Sequence, residues 1–149
     1  MNTRVYNLLL ADDDEDDCDF FKEALEELLI PFSLSTVNDG AELMKFLSDK
    51  PVENLPDIVF LDLNMPRKNG LECLTEIKQN KKLQHLSVII FSTSLNMDIV
   101  DIMYEKGAIY YIRKPGDYAK LKKVIGNALT LIPENNLKQP EREQFVLES

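Results

Sequence analysis

Residues 56–66, PDIVFLDLNMP, decide how the rest of this chain folds. Ile58, Val59, Phe60 and Leu61 are apolar without alternation, so the strand they form must be covered on both faces. Such a strand belongs at the centre of a parallel sheet. It ends abruptly in a carboxylate, Asp62, and Pro66 closes the turn that follows. In open α/β sheets ligands bind at that carboxyl edge. A charge placed there is costly unless it is paired or used. The plainer alternative is that Asp62 only caps the next turn.

Working outward, the same strand–polar–helix pattern repeats. Val5–Ala11 is an apolar run that stops at DDDEDD, residues 12–17. Phe21, Ala24, Leu25 and Leu28 then recur at helical spacing, which predicts a first helix over about 14–29 that Pro31 terminates. Acids in its first turn suit the positive end of the helix dipole. Phe32–Val37 is a second strand, and Asp39 caps a second helix bearing Leu43, Phe46 and Leu47. After the central strand, Asn69-Gly70 opens a third helix with Leu71, Leu74 and Ile77 on one side. Val88–Phe91 is a fourth strand. A fourth helix over about 96–106 turns Ile99, Ile102 and Met103 inward and stops at Gly107. Ile109–Ile112 is a fifth strand, and Asp117 caps a fifth helix with Leu121, Val124, Ile125, Ala128 and Ile132 buried. The expectation is an α/β fold: a five-stranded parallel sheet with five helices, doubly wound through βαβ crossovers. It occupies residues 1–132. Residues 133–149 read as a polar C-terminal tail, mostly disordered or an arm on a partner, with no output domain.

Composition narrows the function classes. A chain of 149 residues suits one domain. With 44% hydrophobic and 29% charged residues, it needs neither a disulfide nor a metal to hold a core. A net charge of −9 argues against nucleic acid as a direct partner. No apolar run approaches the roughly 20 residues of a membrane span. Cys18 and Cys73 form no CxxC pair, and no signal peptide is visible, so a cytoplasmic protein is expected.

The chemistry lies where the strands end. Asp12 and Asp13 follow the first strand, Asp62 the third, Ser92 and Thr93 the fourth, and Lys114 the fifth. In a parallel sheet these ends share one edge, so the groups converge. Crowded carboxylates repel and raise one another's pKa. A hard divalent cation relieves that, and few protein carboxylates with remaining water suit Mg²⁺ better than Ca²⁺. An ammonium and a hydroxyl beside them make a site for a phosphoryl group, with a carboxylate as the nucleophile.

With these residues in place, the chain resembles a response-regulator receiver domain, the CheY-like fold of two-component signalling. LLADDDED, FLDLNMP, MPRKNG, IIFSTS and YYIRKP carry the resemblance. It covers residues 5–132 and is closest to the small regulators that partner bacterial phytochromes. It implies strand order 2-1-3-4-5. It also implies that Asp62 accepts a phosphoryl group from a sensor histidine kinase. Mg²⁺ would be held by Asp13, by Asp12 through water or as a second acid, by Asp62, and by the backbone carbonyl of Asn64. Lys114 would contact the phosphoryl oxygens, with a cis peptide to Pro115. Ser92 would swing to the phosphate and Tyr111 would turn inward behind it. Output would come from partner binding or from relaying phosphate to a downstream protein, and a homodimer through the last helices or the tail is open to such a molecule.

Competing readings are weaker. Asp12, Asp14, Asp16 and Glu23 match a calcium loop, but Asp17 stands where that loop needs glycine. Asp16 and Asp17 read as a solvated first helical turn. A phosphatase acting through an aspartyl phosphate often carries a second acid two residues beyond its nucleophile; Asn64, in that position, is no general acid. An interaction module without chemistry would not need the full set of site residues. His85 lies in a polar loop and reads as solvated.

Overall fold

The computed structural model describes residues 5–134 and 138–148. Its parallel strands are β1 (Tyr6–Ala11), β2 (Phe32–Val37), β3 (Ile58–Leu61), β4 (Ser87–Ser92), β5 (Tyr110–Arg113) and β6 (Val146–Leu147), in the order 2-1-3-4-5-6. The expected order is present, with a sixth strand added beyond it. The helices are α1 (Glu15–Glu27), α2 (Gly40–Asp49), α3 (Gly70–Gln79), α4 (Met97–Glu105) and α5 (Tyr118–Glu134).

Each helix starts where a short polar side chain can cap it. Asp14 accepts from the N–H groups of Asp16 and Asp17, Asp39 from Glu42, and Asn96 from Asp98 and Ile99. Asn69 and Glu72 bond each other's backbone N–H in a reciprocal cap. These caps tie the start of each helix to the edge where the preceding strand ends.

Alternate residues along each strand face opposite helix layers. Leu8, Leu10, Phe60, Phe91 and Tyr110 pack with α1 and α5. Leu9, Val59, Ile90 and Tyr111 pack with α2, α3 and α4. Phe21, Phe60 and Phe91 meet edge to face, with centroids 4.8 to 6.3 Å apart. On α4 the buried residues are Val100 and Met103, while Ile99 and Ile102 are only half-buried. The inward stripe differs from the expected one because isoleucines and a valine at neighbouring positions compete for the sheet, and hydrophobicity alone does not choose among them.

The C-terminal stretch departs most from expectation. Residues 135–137 and 149 lie outside the described residues. Residues 138–148 are not disordered; they run along the open edge of β5. Phe145 is fully buried against Tyr104 and Tyr111, and its carbonyl accepts from the Tyr111 N–H at 3.0 Å. Gln139 donates to the carbonyls of Tyr104 and Ala108, and Arg142 pairs with Asp101 at 2.7 Å. The physical reason is an unpaired strand edge beside an apolar patch, which one phenylalanine and two strand residues can cover.

Candidate functional site

The sheet ladder continues one residue past several strand ends. The Asp12 N–H donates to Val37 at 3.0 Å, the Asp62 N–H to Ala11 at 2.9 Å, and the Lys114 N–H to Ser92 at 2.7 Å. Parallel strands therefore bring two acids and the lysine to one edge. Carboxylate oxygens of Asp12, Asp13 and Asp62 all lie within 4.8 Å of one another. Asp12 and Asp62 are buried; Asp13 is exposed and forms the open side.

Lys114 bridges the acids. Its Nζ lies 2.7 Å from Asp12 Oδ2, 2.9 Å from Asp17 Oδ2 and 3.6 Å from Asp62 Oδ2, and 5.1 Å from the centre of the Phe91 ring. Asp12 Oδ1 accepts the Asp14 N–H at 3.0 Å, so both Asp12 oxygens are engaged. Asp62 Oδ1 accepts only a long bond from the Asn64 N–H at 3.4 Å. Of the two buried acids, Asp62 is thus the one whose lone pairs remain more available.

Burial pushes the Asp62 carboxyl up to about 6. The nearby ammonium of Lys114 lowers it and Asp12 raises it, but loss of water dominates. Asp12 is also raised by burial, against the pull of Lys114. Burial works against the charge of Lys114, yet the hydrogen bonds to Asp12 and Asp17 outweigh it and hold its pKa above the usual lysine value. Four carboxylates around one ammonium leave the pocket negative. Three of them offer converging hard oxygen donors, which suits a divalent cation of the Mg²⁺ or Mn²⁺ kind.

Ser92 is buried at the end of β4, its hydroxyl 3.1 Å from that of Ser94. Tyr111 is buried on the α4 side, and its hydroxyl donates to the Ser94 carbonyl at 2.7 Å. Tyr110 faces the other layer. Asn64 is exposed in the turn after Asp62. The expected cis peptide before Pro115 is not found: the described residues contain no cis bond. Trans is the lower-energy form of an X–Pro peptide. Burial pushes the Cys18 and Cys73 thiols up to about 11 and about 12, and neither is bonded to another cysteine.

Two residues at the site are not those sequence reasoning selects. Asp17 reads as a solvated helical acid but binds Lys114. Ser94 reads as loop but sits between Ser92 and Tyr111. The signal for Asp17 is faint: with Asp14 as N-cap, residue 17 falls on the first turn. Ser94 closes the IIFSTS stretch, but nothing in the sequence marks its link to Tyr111.

The response regulator receiver domain model matches residues 8–126. The chain belongs to the response-regulator receiver family. Response regulator Rcp1 of Synechocystis sp. is 36% identical over 121 residues, which is 79% of this chain and 82% of that protein. The crystal structure of the phosphorylated cyanobacterial phytochrome response regulator RcpA superposes with a TM-score of 0.77 at 30% identity, covering 93% of this chain and 100% of that one. The Mn²⁺-bound form of Rcp1 gives 0.73 at 33% identity, covering 91% and 96%. This receiver is therefore of the phytochrome-regulator type, and its role is phosphorylation-controlled two-component signalling. Other relatives are longer; the chain spans 53% and 24% of two of them. Among the described residues no helix is long and apolar enough to cross a membrane.

Proposed function

We propose that Asp62 is the phosphoacceptor of this receiver and that a sensor histidine kinase of the phytochrome type is its donor. One observation carries the reading: a buried carboxylate with available lone pairs lies among two acids and an ammonium at the carboxyl edge of the sheet. An Asp62 oxygen attacks the phosphorus of a phosphohistidine. The P–N bond breaks and the imidazole leaves. Burial raises the Asp62 carboxyl, while the Lys114 ammonium and a divalent cation held there would favour the ionised form that attacks. Lys114 neutralises charge on the phosphoryl oxygens, and Ser92 donates its hydroxyl to one of them. Mg²⁺ would be held by Asp13, Asp62, the Asn64 carbonyl and Asp12, directly or through water. It would supply charge neutralisation at the transferring group.

The same geometry supports a switch. When Ser92 turns toward the phosphate it leaves the Ser94 hydroxyl, and Ser94 is also the hydrogen-bond partner of Tyr111. Displacement at Ser92 thus reaches Tyr111 through one residue, and Tyr111 lies against Phe145 at the β5 edge. An effector, a downstream phosphotransfer protein or a second copy would read the change through the C-terminal segment that covers that edge. Acetyl phosphate with Mg²⁺ adds one phosphoryl group, read by intact mass, and Asp62→Asn abolishes the addition. Labelling that survives the substitution places the acceptor elsewhere.

A further inference from the structure

We propose that Asp17 is a positioning residue that tethers Lys114 away from Asp62 and slows phosphoryl uptake. This rests on the reading of Lys114 as the residue that meets the phosphoryl oxygens. An ammonium has three N–H donors. Here two are committed, to Asp12 at 2.7 Å and Asp17 at 2.9 Å, while Asp62 stands at 3.6 Å, inside ion-pair range but beyond a hydrogen bond.

The two anchors differ in what they can release. Asp12 is fully buried and its other oxygen holds the Asp14 N–H, so giving up the lysine would strand a buried charge. The Asp17 side chain is 35% exposed, so water can replace the lysine there. Asp17 is therefore the anchor that yields when Lys114 moves toward a phosphoryl group. Its carboxylate also adds negative charge where an anionic donor must approach. Both effects act against uptake. Asp17 is not required as a cap, because the Asp14 carboxylate already satisfies the first N–H groups of α1.

The test compares wild type, Asp17→Asn, Asp17→Glu and Lys114→Gln, together with the Asp17→Asn/Lys114→Gln double variant, all in the full chain. Phosphoramidate is the donor, Mg²⁺ is saturating, and intact mass follows labelling. Asp17→Asn should label roughly threefold faster, the scale of a half-exposed ion pair. Asp17→Glu, which keeps the charge, should restore a rate near wild type. In the Lys114→Gln background the acceleration from Asp17→Asn should be clearly smaller, since the lysine it restrains is gone and only its charge toward the donor remains. Thermal unfolding of each variant separates these effects from loss of fold. An unchanged or slower Asp17→Asn, or an equal acceleration without Lys114, overturns the proposal. Labelling that persists in Asp62→Asn instead overturns the acceptor reading and leaves the Asp17 comparison separately readable.

Discussion

At the scale of single residues, Asp62 holds a site against stability. Its carboxyl is pushed up to about 6 in the folded chain, against an ordinary 3.8. The shift comes first from burial, which disfavours the ionised form. The folded state therefore takes up a proton before the unfolded chain does as pH falls from about 6 toward 3.8. Above that window the folded protein carries an unfavourable charge, and within it stability is regained. Asp62→Asn should raise unfolding free energy by about 2 kcal/mol at pH 7 without divalent cations. The gain should shrink steadily below pH 6. Urea unfolding in chelator at several pH values reads this directly, and a pH-independent gain would point to packing rather than charge. Asp12, Asp13, Asp62 and Lys114 were legible in the sequence because each follows an apolar strand. Asp17 was not, because the last acid in a run of six carries no distinguishing neighbour. Its role comes from how α1 packs on the sheet.

At the scale of elements, the start of α3 sets where Asp62 sits. A Cβ added at Gly70 would lie 2.5 Å from the Asp62 carbonyl oxygen and 2.8 Å from Leu63 Cα. Both are backbone atoms with no freedom to rotate aside. The Gly70 N–H also donates to the Leu63 carbonyl at 3.0 Å. Gly70→Ala should thus push the helix and the β3–α3 turn apart, costing about 1–3 kcal/mol and slowing phosphoryl labelling together. Lost stability with an unchanged labelling rate would show that the turn adjusts without moving the acid. Element boundaries were well marked where strong local chemistry fixes them. β2 and β3 fall on their expected residues, and Asp39, Asn69 and Asp117 precede their helices as expected. The face of α4 was not, because isoleucines and a valine compete for the sheet and hydrophobicity alone does not choose among them.

At the scale of the molecule, the sheet ends on a strand that composition does not announce. Val146–Leu147 is too short to register as a strand, and PEREQ before it is polar. What recruits it is long-range: β5 offers an unpaired edge, and Tyr104 and Tyr111 offer an apolar seat for Phe145. Phe145 has no exposed surface, and the Tyr104 hydroxyl donates to the Pro140 carbonyl at 2.8 Å. The segment is therefore part of the core, and the β5 edge reached by Tyr111 is covered from within the chain. Ending the chain after residue 137 removes a buried aromatic and bares a strand edge. Stability should fall by about 3 kcal/mol, the scale of deleting a core phenylalanine. The bared edge should also favour association, seen by light scattering as a concentration-dependent rise in mass. Phe145→Ala should reproduce the stability loss while keeping β6 paired, and so should associate less. Truncation without either effect would mean that the segment rests on the sheet without supporting it, and that Tyr111 signals to an edge already open to partners.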